Sequence, residues 1–250
     1  MEPLGMRGRA RRAEWVAVSH GLHRRSEHGP VRRGLRFSRH PTAPERELHR
    51  GLWVSSPGET LLACARDLGG LDLVLVVDGA LAAGVPQPDL VAAASQRRRG
   101  APALRRALAM ADRRSESPWE TLLRVLHDCL EVEVEPQHVV SDSDGRFVAR
   151  ADLWLVGTRT IHEYDGGVHL TQTRQHDDLR RTRDLQHCGW IRNGYTATDV
   201  VRSPVVIARD VDRALGRPGD VRRLTRWSAL LRESGCTPAG RSRLAARWSD

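Results

Sequence analysis

The chain contains no lysine, so all forty of its basic residues are arginine. That absence excludes a lysine Schiff base, a catalytic amine and the cation of a phosphate-binding P-loop. With abundant Ala, Gly and Val, it reflects the codon usage of a GC-rich genome. Aromatic side chains make up only 4% of the sequence, so the core must be built from Leu, Val and Ala. The four cysteines, Cys64, Cys129, Cys188 and Cys236, form no CxxC pair. A zinc site of cysteine type is therefore not expected, and the thiols read as reduced and buried in a cytoplasmic protein. No run of 18 apolar residues exists, which excludes a membrane-spanning helix of ordinary length. The N-terminal run MEPLGMRGRARRAEW is basic but lacks the apolar core of a secretion signal.

What is present is positive charge. The formal net charge is +9 and the isoelectric point about 10.8. Such a balance favours polyanionic partners, nucleic acid first, although a basic solvated surface alone gives the same number. At 250 residues the chain has room for one large domain or two small ones. Composition divides it into four stretches. Residues 1–50 are rich in Arg, His, Gly and Pro and read as an irregular basic segment, with strand-like runs at Trp15–Val18 and Leu35–Phe37. Residues 51–116 read as a smaller, mostly helical domain. Residues 117–216 alternate helix and strand, and 217–250 form a basic tail.

Local signals place the elements. Ser56-Pro57-Gly58-Glu59 has the form of a helix start, and Leu61, Leu62, Ala65 and Leu68 follow at helical spacing up to Gly69-Gly70. The apolar run Leu71–Val77 fits a strand or a helix equally, because it has no period. Pro88-Asp89-Leu90 and Pro102–Ala111 mark two further helices before a polar break at Asp112–Ser117. Ser117-Pro118-Trp119-Glu120 opens the next helix. Strands follow at Gln137–Val140, Phe147–Val156 and Thr160–Tyr164, separated by the turns Asp142–Gly145 and Gly157-Thr158. A polar helix spans Thr173–Cys188, a fourth strand Trp190–Tyr195. Thr198 is the expected cap of a last long helix carrying Val205, Val206, Ala208 and Val211. In the tail, Val221–Leu231 reads as an amphipathic helix, with a mobile end from Pro238. The predicted fold is α/β, a mixed sheet between helices.

Carboxylates mark the middle of that sheet. Asp152 lies in the second strand, and Glu163 and Asp165 lie in and just after the third. Residues i and i+2 of a strand share a face, so Glu163 and Asp165 point the same way. Asp152 precedes Glu163 by a tight turn, so paired strands bring all three together. Like charges at that distance repel unless a cation lies between them, and hard oxygens suit Mg²⁺ or Mn²⁺. Such an ion activates water and neutralises charge on a phosphate under attack. Solvent-facing acids on a strand are the plain alternative. His169, just beyond Gly166-Gly167, is a candidate phosphate donor, proton shuttle or metal ligand, or an ordinary surface histidine. Asp178 and Arg181 share a helix face; they form a surface ion pair, or Arg181 is aimed at a phosphate.

The run Ser117-Pro118-x-Glu120, Asp152-Leu153, Glu163-Tyr164-Asp165-Gly166-x-x-His169 and Asp178-x-x-Arg181-x-x-x-Leu185-x-x-x-Gly189-Trp190 resembles the endonuclease-like domain related to very-short-patch-repair (Vsr) endonucleases. The resemblance covers about a third of the chain. It implies a restriction-endonuclease-like (PD-(D/E)XK) fold and divalent-metal cleavage of DNA. Carried over by position, it implies that Asp152 and Glu163 bind metal, that Glu120 on the first helix completes the site, and that His169 and Arg181 support it. Asp165 stands where the superfamily often has lysine. Residues 52–116 also resemble the region behind the winged helix of actinobacterial proteins that begin like AbiE-type antitoxins, but no full winged helix is visible here.

The resulting expectation is a Mg²⁺- or Mn²⁺-dependent DNA endonuclease or nickase with Asp152, Glu163 and Asp165 as metal ligands, acting on DNA, away from the membrane, and able to form a homodimer. The alternative is a DNA-binding regulator of the antitoxin type, in which the nuclease fold is a binding module.

Overall fold

A computed structural model describes residues 45–49, 51–166 and 172–248. The strand-like runs at Trp15–Val18 and Leu35–Phe37 lie outside the described residues. The described chain opens with a hairpin of β1 (Arg46–His49) and β2 (Leu52–Ser55). The helical stretch begins only after it, with α1 (Pro57–Asp67), α2 (Gly70–Ala82), α3 (Gln87–Ser95) and α4 (Ala101–Leu108). Ser56 caps α1 by accepting the Glu59 amide at 3.3 Å. The ambiguous run Leu71–Val77 is part of α2. Leu71, Leu73, Val74, Val77 and Leu81 of this helix are all buried. A helix covered on nearly every side has no polar face to give a period, which is why the sequence left both readings open. Gly100, at φ +95°, is required where α4 meets α1, because a β-carbon there would sit 2.6 Å from the Leu62 carbonyl oxygen.

Across the polar break, α5 (Pro118–Cys129) starts on the Ser117 cap. Asp78 of α2 ties the two sides together. Its carboxylate accepts the Asp112 amide at 2.8 Å, the Thr121 hydroxyl at 2.8 Å and the Arg124 guanidinium at 2.7 Å. One apolar cluster runs from Leu61, Leu71 and Leu90 through Leu122 and Leu126 to Leu153, Leu155 and Trp227.

The sheet has four strands in the order β3 (Val134–Ser141), β4 (Phe147–Leu155), β5 (Thr160–Tyr164) and β6 (Ile191–Tyr195). The first three are antiparallel; β5 and β6 are parallel. Parallel neighbours need a crossover, and α6 (Gln172–His187) supplies it. In β5, His162 points to α5 and its neighbour Glu163 to α6, so the two helices cover opposite faces of a mixed sheet. A second core of Val140, Ala149, Ala151, Ile161, Leu185 and Trp190 fills the α6 side. The edge strand β3 carries Pro136 and a left-handed Gln137 (φ +57°), features that blunt an exposed edge against pairing with another chain.

After β6 the chain departs from expectation. The cap is Thr196, not Thr198; its hydroxyl and the Asp199 carboxylate satisfy one another's backbone amides in a capping box. The helix it opens, α7 (Ala197–Val201), is short. Pro204 bars its predecessor from continuing a helix, and α8 (Pro204–Ala214) starts afresh. A 3₁₀ turn at Val221–Arg223 leads to α9 (Leu224–Glu233), and the expected mobile end from Pro238 is instead α10 (Pro238–Trp248). No described helix is long and apolar enough to cross a membrane.

Candidate functional site

The site forms where the β4–β5 ladder opens. These strands pair at Trp154/Ile161 and Leu153/His162. One residue further, Asp152 stands opposite Glu163, and the Asp152 Oδ2 accepts the Tyr164 amide at 2.9 Å. A side chain thus takes the place of a backbone acceptor. Among the described residues this is the only hydrogen bond to Asp152. Burial pushes the Asp152 carboxyl up to about 6, against the pull of that amide, with the charges of Glu120 and Glu163 adding to the rise and Arg181 opposing it.

Glu163 is 3% exposed. A buried carboxylate needs compensation, and it has two guanidiniums. Arg181 of α6 bonds Oε1, and Arg192 of β6 bonds Oε2. Arg181 also donates to the Arg150 carbonyl at 2.7 Å. Arg192 extends to Asp178 at 2.9 Å, to Asp165 at 3.2 Å and to the Thr182 hydroxyl at 3.1 Å. Burial works against the Arg192 charge, but these acids, Glu163 first, hold its proton more tightly than usual. Asp165 lies over Gly194, the β6 partner of Glu163. A β-carbon at Gly194 would fall 1.8 Å from the Asp165 Oδ2, so this strand position must be glycine while that carboxylate stays. Glu120, in the first turn of α5, accepts the Glu116 amide at 2.9 Å and the Gln137 side-chain amide at 2.8 Å, both on Oε2. Tyr164 stacks on Trp119 beside it, ring centroids 5.1 Å apart.

The predicted residues therefore separate into two groups. Asp152, Glu163, Glu120 and Arg181 gather around the ladder opening. Asp165 is drawn to Arg192 and Gly194. The expected Asp178–Arg181 pair is replaced by Asp178–Arg192 and Glu163–Arg181. His169 lies outside the described residues. Hard carboxylate oxygens suit Mg²⁺ or Mn²⁺ in kind, but among the described residues no three His, Cys, Asp or Glu side chains converge in a geometry that holds a metal. Asp152 and Glu120 each keep an oxygen clear of the bonds just described, while both oxygens of Glu163 are held by arginine.

Sequence reasoning missed Arg192. The residue stands in Ile191-Arg192-Asn193-Gly194, and only the parallel register with β5, in which Ile161 pairs with Arg192, brings it to Glu163. It also missed a buried polar chain on the other face. The His127 Nδ1 is 2.7 Å from the Leu123 carbonyl, and its Nε2 is 2.8 Å from the His162 Nδ1. The His162 Nε2 meets Asn193 at 3.2 Å and the Tyr195 hydroxyl at 3.3 Å, and that hydroxyl donates to Asp210 at 3.1 Å. A signal existed: alternation sends His162 away from Glu163, and His127 sits on the apolar stripe of α5 with Leu123 and Leu126.

No protein-family model, curated protein or solved structure compared with the chain matches it.

Proposed function

We propose that the chain is a divalent-metal-dependent DNA endonuclease or nickase with a restriction-endonuclease-like fold, related to Vsr endonucleases. The observation that carries this reading is the acidic pair at the ladder opening. Asp152 and Glu163 are held side by side with Glu120 near, and the Asp152 carboxyl is pushed up to about 6. Burial and repulsion of this kind are what a bound cation relieves. The order of elements supports it too: helix, three antiparallel strands, crossover helix, parallel strand. On this reading Asp152, Glu163 and Glu120 hold Mg²⁺ or Mn²⁺, which supplies an activated water and charge neutralisation at a phosphodiester. Asp165 is kept from the ion by Arg192.

A second reading is favoured by one feature. Both oxygens of Glu163 are paired with arginine, an arrangement that also suits a DNA-binding regulator in which the nuclease fold no longer cleaves. Incubating the purified protein with supercoiled plasmid and Mg²⁺ or Mn²⁺ separates the two. Nicking by the wild type, lost by at least about 100-fold in Asp152→Ala on the scale of removing one preorganised catalytic group, is the expected result. Tight duplex binding with no cleavage by either protein supports the regulator.

Charge is unevenly placed, and this yields a further expectation for DNA binding. Ten arginines and three acids precede Glu45; residues 45–250 hold thirty arginines against twenty-eight acids. Counterion release scales with the phosphates neutralised. The fall of duplex affinity with salt is therefore expected to be steep in the full chain. It should be much shallower when the ten arginines before Glu45 are replaced by glutamine. Equal slopes would place the phosphate contacts in residues 45–250 instead.

A further inference from the structure

The two arginines on Glu163 are not equivalent. The Arg192 side chain is 12% exposed and is tied to Glu163, Asp165 and Asp178 together with the Thr182 hydroxyl. The Arg181 side chain is 33% exposed and is held only by Glu163 and the Arg150 carbonyl. They also take different oxygens. Arg192 binds Oε2. Arg181 binds Oε1, and its charge is the one felt at Asp152. Oε1 is thus the oxygen that shares the ladder opening with Asp152, and a cation coordinated by both carboxylates needs that same oxygen.

We propose that Arg181 is an exchangeable counter-ion, occupying the Glu163 Oε1 until a divalent cation displaces it, while Arg192 remains fixed as the permanent partner of Oε2. This rests on the metal-dependent reading above and deepens it. The carboxylate cannot serve both, since a guanidinium and a divalent ion at one oxygen would bring like charges together with little water to screen them. Exchange is feasible because Glu163 keeps one guanidinium throughout, so no buried charge is left alone. The released Arg181 stays beside the site. Its anchor on Arg150 lies two residues from Asp152, and its planar fork suits two oxygens of one phosphate. Cation entry thereby converts an internal ion pair into a free phosphate-binding group. Without lysine in the chain, this is how the site gains a mobile positive charge.

The consequence is opposite in sign for metal and for DNA. Removing Arg181 should tighten binding of the metal alone and weaken that of the phosphate backbone. Mn²⁺ binding to the full chain, followed by electron paramagnetic resonance without DNA, tests this. Arg181→Met, which keeps the apolar stem, is expected to bind Mn²⁺ about tenfold more tightly than wild type, as the competing cation is gone. In the same variant, duplex affinity measured with Ca²⁺ present should fall. Asp152→Asn should lose Mn²⁺ binding. Mn²⁺ affinity that is unchanged or weaker in Arg181→Met, while Asp152→Asn still abolishes it, overturns the exchange and leaves the metal site standing. Absence of Mn²⁺ binding in wild type and Arg181→Met alike overturns both.

Discussion

Arg192→Ala is expected to lower the free energy of unfolding by about 3 kcal/mol, the order found when one partner of a buried ion pair is removed. Glu163 is enclosed, and both of its oxygens need a donor. Alanine at 192 orphans Oε2, and water reaches it poorly. The loss should stay at the lower end of the range because Arg181 still holds Oε1, and because Asp165 and Asp178 are exposed enough to hydrate. Replacing the charge as well should recover part of the loss, so Arg192→Ala combined with Glu163→Gln is expected to be less damaging than the two added. Urea unfolding of the four proteins of that cycle measures the coupling. A loss below about 1 kcal/mol with strict additivity would show that the pair is solvated, like surface pairs. Arg150→Ala provides the contrast. It breaks a bidentate bond to Glu116, but both side chains are about half exposed, 50% and 54%, and its effect should stay below about 1 kcal/mol.

Lowering the pH from 6.5 to about 4.5 should destabilise the fold through the histidine chain. The His127 Nδ1 faces a carbonyl and must donate; its Nε2 then accepts from the His162 Nδ1, which leaves the His162 Nε2 to accept from Asn193. The chain closes only with both rings neutral. Burial lowers His127 to about 4 and carries His162 well below its usual range, with the neighbouring ring adding to the effect. A folded-state value below the unfolded one, about 6.5, gives stability that is present above 6.5 and lost as pH falls towards the folded value. For His127 that amounts to about 3 kcal/mol by pH 4. The other groups facing the pair, the Tyr195 hydroxyl and behind it Asp210, do not reverse this, since Tyr195 is itself driven up by burial and then by Asp210 and stays protonated. Asp152 acts in the opposite direction. Its raised value means that the folded state binds a proton more readily than the unfolded chain, which adds stability as pH falls through 6. The measurement therefore belongs in an Asp152→Asn background, where the full histidine effect should show. A flat stability profile there between pH 6.5 and 4.5 would refute the neutral histidine pair.

Much of the sheet was legible because its signals are local. Turn chemistry at Asp142–Gly145 and Gly157-Thr158 bounded β4, and the i, i+2 spacing of Glu163 and Asp165 gave their shared side. The Ser56 and Ser117 caps announced α1 and α5. What stayed hidden was set by tertiary packing. Leu71–Val77 is periodless because α2 is buried nearly all round. Thr198 and Thr196 are equally good caps in isolation, and the Asp199 box selects the second. Arg192 became a member of the site only through parallel pairing across α6, whose register no local pattern encodes. The same pairing explains why Asp165, read as a metal ligand, faces an arginine: Gly194 leaves room for its carboxylate beside Arg192 rather than beside Asp152.

That crossover also fixes when the site can exist during folding. Glu163 and Arg192 are 29 positions apart, and their strands meet only once α6 has docked. The β3–β4 and β4–β5 hairpins close across short turns and should assemble first, with Glu163 still hydrated. The ion pair then forms late, beyond the rate-limiting barrier. Its removal should leave the folding limb of the kinetics nearly unmoved and appear almost wholly as faster unfolding. Arg192 would thus govern how long the folded molecule lasts rather than how quickly it is made.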